Sequence, residues 1–360
     1  MHPAGRCLLR AVAPALPKIS YVLTSHNRSR YIREAVESAL AQDYPGELEF
    51  IFSDDCSTDD TYDIICRCVT DYTGPHRVIT TRTPRNMGLA GNTNHAVSLA
   101  TGEWVIRADD DDLTAVDRCS VIARAIAEHP GCTYVATGLR AFTDATADEA
   151  RAASRTPCGT HAAARVVSLA DGPISPLFPG ANSLYSYKAW HISVYRTFGP
   201  LDEAAYYVDD LSCYYRANIL GSGVYLDNVP AVLMRQGSGN QSRGGDDASR
   251  GYRAIVRLER FNDKYFNVTV PPLTRELAAY RTYAATHPSP NLAGLLNAIE
   301  EDINTRKLLS TFWRRGILNR IRISRRLGYK GLFSAIRCLP LPVFASLLAT
   351  YRKVHTFVHP

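Results

Sequence analysis

Trp104-Val105-Ile106-Arg107-Ala108-Asp109-Asp110-Asp111-Asp112-Leu113-Thr114 sets the reading of the whole chain. The apolar run Trp104-Val105-Ile106 predicts a buried strand, and it gives way to four consecutive carboxylates. Crowded carboxylates resist full ionisation unless a cation or strong donors compensate. Hard cations such as Mg2+ and Mn2+ take oxygen ligands and share them with substrate phosphates. Alternate residues of a strand point the same way, so Asp109 and Asp111 are expected to face one divalent ion while Asp110 and Asp112 point elsewhere. Asp is also favoured at helix starts, and one or two acids would suit that explanation. Four of them directly after a buried strand suit a metal–phosphate site better.

Outward from this stretch, strand and helix signals alternate from Lys18 onward, the pattern of a mostly parallel sheet flanked by helices. Ile19 to Leu23, Leu48 to Ser53, Val78 to Thr81, Trp104 to Ala108 and Cys132 to Thr137 read as strands. Tyr31 to Gln42, a segment opened by Ser57 to Asp60 with a capping-box pattern, Gly88 to Ala100, and Ala115 to His129 read as helices. Polar clusters follow the strands: Ser25 to Arg28, Asp54-Asp55, Asn86 to Asn94 more loosely, and Asp109 to Asp112. In open α/β sheets ligands bind beyond the carboxyl ends of the strands, so these clusters should line one crevice. A nucleotide joined to a second group through a metal-bound pyrophosphate would suit it.

The 360 residues, 46% hydrophobic and 21% charged, can hold one large α/β domain with an appendage and exclude wholesale disorder. Nine cysteines, an odd number with no CxxC pair, argue against a disulfide framework or a zinc site and suit a reducing cytoplasm. Arg10 interrupts the apolar stretch near the start, which makes a poor signal peptide, and no uncharged apolar run reaches the length of a spanning helix. The net charge of +6 is unevenly spread: residues 303–360 hold twelve Lys or Arg and no Asp or Glu. The remaining 29 basic and 35 acidic residues leave the rest of the chain at −6.

Taken together, Ile19-Ser20-Tyr21-Val22-Leu23-Thr24-Ser25-His26-Asn27-Arg28, then Ser53-Asp54-Asp55-Cys56-Ser57-Thr58-Asp59, then Asn86-Met87-Gly88 with Asn94, then Thr101-Gly102-Glu103-Trp104 leading into the acid run, resemble family 2 glycosyltransferases. The resemblance is dense from Lys18 to about Thr137 and resumes near Phe198. It implies the GT-A fold, a Rossmann-like α/β architecture, and transfer of a hexose-type sugar from a nucleotide donor with inversion. By position it implies that Ser25 and Asn27 contact the nucleotide, that Asp54 and Asp55 contact the base, commonly uracil, and that Asn86, Gly88 and Asn94 belong to the donor site. Cys56 stands where Gly is usual, and Thr93 where many members have Arg. Asp109 and Asp111 match the DxD pair that holds the donor diphosphate through Mn2+ or Mg2+, with Asp110 beside it.

Tyr207-Val208-Asp209-Asp210-Leu211 with Arg216 resembles the family's second signature, in which an acid is the catalytic base. Asp210 takes that position and Asp209 is its alternate. An attacking acceptor hydroxyl must lose its proton, and a placed carboxylate can take it. Met234-Arg235-Gln236-Gly237-Ser238-Gly239-Asn240-Gln241-Ser242 matches a third segment at Arg235, Asn240 and Ser242, with Gly237 where a His is usual. Residues 144–164 read as a variable loop or helix, Pro173 to Gly180 as a rigid border of the acceptor pocket, and Trp190 as core rather than a sugar platform. Tyr252 to Tyr265, Pro272 to Tyr283 and Ala293 to Ser310 read as helices.

The expected organisation is a catalytic domain at 18–245, a helical extension at 246–302 and a basic amphipathic tail at 303–360. Basic residues interleaved with Trp313, Phe333 and aliphatic residues suit an anionic membrane surface. No nucleic-acid-binding motif accompanies the charge. The expected partners are a nucleotide-sugar donor and a glycan or lipid-linked acceptor, met at the cytoplasmic face of the cell membrane. A sugar-phosphate nucleotidyltransferase is the rival enzyme class, but its Gly-rich loop is missing from Thr24 to Ser29. A non-catalytic sugar- or nucleotide-binding protein would not need Asp210.

Overall fold

The computed structural model describes residues 16–159, 164–167, 188–204, 209–236 and 252–310. The stretch before residue 16, Pro173 to Gly180, the Gly237 to Ser242 segment and the basic tail beyond 310 lie outside the described residues.

Nine described strands form one sheet in the order β3-β2-β1-β4-β8-β6-β9-β5, with β7 on β9. The strands are β1 (Ile19–Ser25), β2 (Leu48–Asp54), β3 (Arg77–Arg82), β4 (Trp104–Ala108), β5 (Leu113–Thr114), β6 (Cys132–Thr143), β7 (Arg165–Val167), β8 (Lys188–His191) and β9 (Ser222–Gln236). β3, β2, β1 and β4 are parallel neighbours, whereas β8 runs antiparallel to both β4 and β6. The expected α/β sheet is therefore present. β1, β2 and β4 are buried at every position, as central strands covered on both faces must be.

One face carries α1 (Ile32–Leu40), α2 (Thr61–Thr70) and α4 (Arg118–Glu128), packed on Tyr21, Leu23, Phe50, Phe52 and Ile106. The other carries α3 (Gly88–Ser98), α6 (Ser193–Arg196) and α7 (Asp209–Leu220) over Val22, Ile51, Val105, Tyr134 and Trp190. Trp190 is core, 1% exposed. The helical hairpin of α8 (Tyr252–Thr286) and α9 (Pro290–Leu309) adds Leu273, Leu277, Tyr280, Leu295 and Ile299 to that second core. It shares its apolar core with the sheet, and α9 runs on past the expected boundary at 302.

Two expectations change, and the loop or helix expected at 144–164 takes a definite form. α8 runs through Pro271 and Pro272 instead of breaking into two helices; a proline removes a donor and kinks a helix, but burial of the following turn holds the axis together. β6 continues past Thr137 because Gly138 lets the backbone of β9 approach: a Cβ there would lie 2.4 Å from the Asp227 carbonyl oxygen. Residues 144–154 form a 3-10 turn (Asp144–Thr146) and α5 (Ala147–Ser154), seated through Ala147 and Ala150 on Leu113, Phe142 and Leu233. No helix among the described residues is long and apolar enough to cross a membrane.

Candidate active site

The four acids do not continue the strand. β4 stops at Ala108, and Asp109 to Asp112 form a turn that ends in the short strand β5, which pairs with β9. Strand alternation therefore does not separate them; their partners do. Asp110 Oδ2 accepts the His26 backbone N–H at 3.1 Å and Oδ1 accepts Arg28 Nε at 3.2 Å. Asp112, 9% exposed, accepts the Arg235 backbone N–H at 2.8 Å. These two carboxylates fasten the turn to the loop after β1 and to β9. Asp110, expected beside the nucleotide, is turned toward the chain.

Among the described residues the Asp111 carboxylate has only its own backbone N–H as a donor, and its carbonyl accepts Arg235 Nε at 3.0 Å. Burial, then the neighbouring Asp111, pushes the Asp110 carboxyl up to about 7. Burial, then Asp109, pushes Asp111 up to about 6, and Asp112 lies well above the usual range from burial first. Desolvated, mutually repelling carboxylates of this kind suit a hard divalent cation, which would favour their ionised forms. Among the described residues no three His, Cys, Asp or Glu side chains converge as a complete ligand set. Asp109 and Asp111 would then hold an ion only in company with oxygens of a bound diphosphate.

The first two loops interlock. Asn27, with φ of 53°, accepts the Thr58 N–H through Oδ1 at 2.8 Å and donates its own N–H to Ser57 Oγ at 2.9 Å. Ser57 does not open a capping box: its hydroxyl and N–H both donate to the fully buried Asp54 carboxylate, which also meets Arg82 Nε at 3.2 Å. Cys56 has φ of 55°, the left-handed conformation that glycine tolerates best. Asp55 Oδ1 accepts the Met87 N–H at 2.8 Å and the Thr83 hydroxyl at 2.9 Å. Asn86 donates to His26 Nε2 at 2.9 Å and accepts the Gly88 N–H at 3.0 Å, where Gly88, φ 73°, starts α3. His26 Nδ1 lies 2.9 Å from the Asp55 carbonyl, so the ring bridges the ends of the first two strands and the Asn86 loop.

Asn94 and Arg235 hold structure together rather than facing an opening. Asn94 makes two 2.8 Å bonds to the backbone of Leu201, fixing α3 to the segment before α7. Arg235, 4% exposed, reaches Glu34 at 2.6 Å and Asp144 at 2.7 Å and lies over the rings of Tyr31 and Phe142. Asn92, which the sequence reading passed over, accepts Ser53 Oγ at 2.5 Å and donates to the carbonyls of Ser53 and Ser25. The Thr24, Ser25 and Thr93 hydroxyls are buried with no hydrogen-bond partner among the described residues.

Asp209 and Asp210 open α7, where the helix N-terminus favours negative charge. Only the backbone of Asp209 is described. Asp210 Oδ1 lies 3.6 Å from Arg107 Nη1, two residues before the acid turn. The fold thus brings Asp210 beside β4, the strand that leads to Asp109 and Asp111.

Comparison with known proteins agrees with this architecture. Residues 20–188 match the family model "Glycosyl transferase family 2". EpsE of Bacillus subtilis (strain 168) is 34% identical over 126 residues, 35% of this chain and 44% of EpsE. The UDP-Glc:alpha-D-GlcNAc-diphosphoundecaprenol beta-1,3-glucosyltransferase WfaP of Escherichia coli is 34% identical over 102 residues, 28% of this chain and 38% of WfaP. The chain thus spans less than half the length of these curated relatives. The crystal structure of S. aureus TarS 1-349 in complex with UDP-GlcNAc superposes with a TM-score of 0.52, at 18% identity, over 94% of this chain and 92% of that one. That likeness concerns the fold, which is GT-A. Through residues 20–188, from β1 to the first residue of β8 and just under half of the chain, the protein is similar to glycosyl transferase family 2.

Proposed function

We propose that the protein is an inverting glycosyltransferase that moves a sugar from a nucleotide-sugar, a UDP-sugar first among them, to an acceptor hydroxyl on a glycan or a lipid-linked glycan. One observation supports this reading: Asp210 lies 3.6 Å from Arg107 of β4, and the acid turn, whose Asp111 carboxyl is raised by burial and by Asp109, begins two residues further on. In the proposed complex Asp109 and Asp111 hold Mn2+ or Mg2+ against the donor diphosphate. The ion would supply charge neutralisation for the departing nucleoside diphosphate. Ser25 and Asp55 would contact the nucleoside, while Asn27, Asn86, His26 and Asp110 keep the donor loops in place. Asp210 would accept the acceptor's proton as its oxygen attacks the anomeric carbon, with Asp209 as the alternate base.

A thermal-shift screen of UDP-, GDP- and dTDP-sugars, with and without Mn2+ or Mg2+, tests the donor assignment. Stabilisation by one nucleotide class that needs the metal is expected, and Asp111→Asn should remove it while leaving the fold intact. Metal-dependent affinity unchanged in that variant would dismiss the acid turn as the donor site. Asp210→Asn should bind donor and metal normally yet transfer about 10²–10⁴-fold more slowly, the range general-base catalysis supplies. Transfer near the wild-type rate would pass the role to Asp209 or to neither acid, and would favour a binding protein if no variant affected turnover.

The twelve basic residues after Asp302 motivate a further part of the reading: a catalytic domain docked by its C-terminal segment on an anionic leaflet. Each Lys or Arg near such a surface contributes about 1 kcal/mol.

A further inference from the structure

Arg107 and Lys188 are both buried, 2% and 1% exposed, although they stand on neighbouring strands in the middle of the sheet. β4 and β8 pair antiparallel with Val105 opposite Trp190 and Ile106 opposite Ala189. The next step of that register sets Arg107 across from Lys188. Both point to the face that Val105 and Trp190 share with α7. Like charges directly opposed on an antiparallel pair repel, and a buried charge is costly without a partner. The fold therefore needs an anion at this place.

Helix α7 provides it. Asp210, Cys213 and Tyr214 stand three and four residues apart and so share one helix face. The Asp210 carboxylate is 3.6 Å from Arg107, and the Lys188 ammonium lies 5.5 Å from the Trp190 ring centroid and 5.6 Å from that of Tyr214. Among the described residues the titratable groups acting on Lys188 are Asp210 and Cys213 from α7; Arg107 stands across from it on β4, and on its other side β6 places Ala136. Burial brings the Lys188 ammonium down to about 8, with Asp210 opposing that shift.

We propose that Arg107 and Lys188 are positioning residues for Asp210, a buried cation pair on adjacent strands that fixes its carboxylate, ionised, at the end of the sheet beside the acid turn. This rests on the reading of Asp210 as the acceptor's base. The pair is too deeply buried to touch substrate; it acts through the orientation and proton affinity of Asp210. It also sets a compromise. Two cations and a helix N-terminus keep the base ionised over a wide pH range, and the same groups weaken its pull on a proton.

The experiment uses the full chain and four proteins: wild type, Lys188→Met, Lys188→Arg and Asp210→Asn. Nucleotide release from UDP-glucose and UDP-N-acetylglucosamine is followed against pH, and urea unfolding is followed against pH without substrate. An opposite charge at 4–6 Å lowers a carboxyl by about 1–3 pH units. Lys188→Met should therefore move the acidic limb of kcat upward by about one unit with donor KM nearly unchanged, and Lys188→Arg should return it. A limb that stays in place in folded Lys188→Met overturns the inference and leaves Asp210 as base. A wild-type rate in Asp210→Asn overturns the base itself.

The unfolding series decides the pairing even where neither donor turns over. Folded Lys188 loses its proton near 8, about two units below an unfolded lysine. Above pH 8 the unfolded chain binds more protons at this site, so Lys188 adds a contribution that rises with pH through that window. The Cys68, Cys119, Cys132 and Cys158 thiols, which burial pushes up, add a falling one, so the Lys188 part is read as the difference from Lys188→Met. Relative to Lys188→Met, the rise should be present in the wild type and begin at lower pH in Asp210→Asn, which has lost the opposing charge. An onset that Asp210→Asn does not move means that the two groups are not coupled, and the inference fails.

Discussion

Where the C-terminal hairpin meets α7, each buried carboxylate has both an arginine and a tyrosine. Glu276 accepts from Arg216 Nη2 at 2.7 Å and from the Tyr280 hydroxyl, and Asp302 accepts from Arg306 Nε at 2.7 Å and from the Tyr215 hydroxyl. At the acid turn the balance is reversed. Four neighbouring carboxylates face Arg28, which binds Asp110, and Arg235, whose guanidinium bonds to Glu34 and Asp144. Both regions are desolvated, yet one is neutral within itself and the other has carboxyls that resist ionisation. A buried acid thus has two meanings here. Matched by guanidinium and hydroxyl it fastens elements together; left under-compensated at the end of a strand it leaves charge for a ligand to complete.

The largest effect expected from this contrast lies in the hairpin. Arg216→Met strands Glu276 in the core, and breaking one side of a buried pair costs about 3–5 kcal/mol. Replacing both residues by methionine should recover most of that loss in urea midpoints. A single variant as stable as the wild type would remove the distinction, since the pair would then be no more structural than a surface bridge.

A smaller and opposite effect belongs to the acid turn. A carboxyl raised in the folded state binds a proton that the unfolded chain releases near its ordinary value, so the folded form holds the extra proton in between. With Asp110 at about 7 and Asp111 at about 6, stability of the metal-free protein should fall as pH rises from about 4.5 to 7. One fully titrating group changes it by about 1.4 kcal/mol per pH unit. Glu49, Asp59 and Asp144, whose carboxyls are lowered, act below this window, while His76 and His191, lowered by burial, offset part of the fall within it. Urea unfolding at fixed ionic strength would show the fall, and UDP with Mn2+ should flatten it; stability level or rising across that range contradicts the picture.

The least effect is expected at Cys56, which adopts a positive φ without charge at stake. Left-handed backbone costs a non-glycine residue about 1–2 kcal/mol, offset by the greater unfolded entropy of glycine. Cys56→Gly should therefore change stability by less than about 1 kcal/mol, in the stabilising direction. Marked destabilisation would assign Cys56 a packing role.

The sheet was legible because apolar runs of strand length, each ended by polar residues, identify both an element and the crevice beyond it. The acid turn was legible as a site for the same reason. Its internal division was not: whether Asp110 or Asp111 faces a ligand depends on Arg28 and Arg235, which are 82 and 124 residues away. Asn94 and Arg235 matched motif positions, but identity of residue type does not reveal that Leu201 and Glu34 come to occupy their polar atoms. Arg107 and Lys188 gave no signal, since a single cation in an apolar strand resembles an edge residue until the register of β4 and β8 puts the two face to face.

Both ends of the acid turn are held in the same sheet, by β4 before it and by β5 after it, and the partner of β5 is β9. The Thr114 hydroxyl bonds to the Ala231 carbonyl, 117 residues further along the chain. During synthesis at about 5–20 residues per second, that partner follows the turn by about 6–23 s. For that interval the first four strands can pair on the ribosome and Asp110 can reach the loop after β1, while the far end of the turn lacks its anchor on β9. The repulsion of the acids is then relieved by water instead of being held in place, and the crevice acquires its fixed charge only when the last strand is laid down.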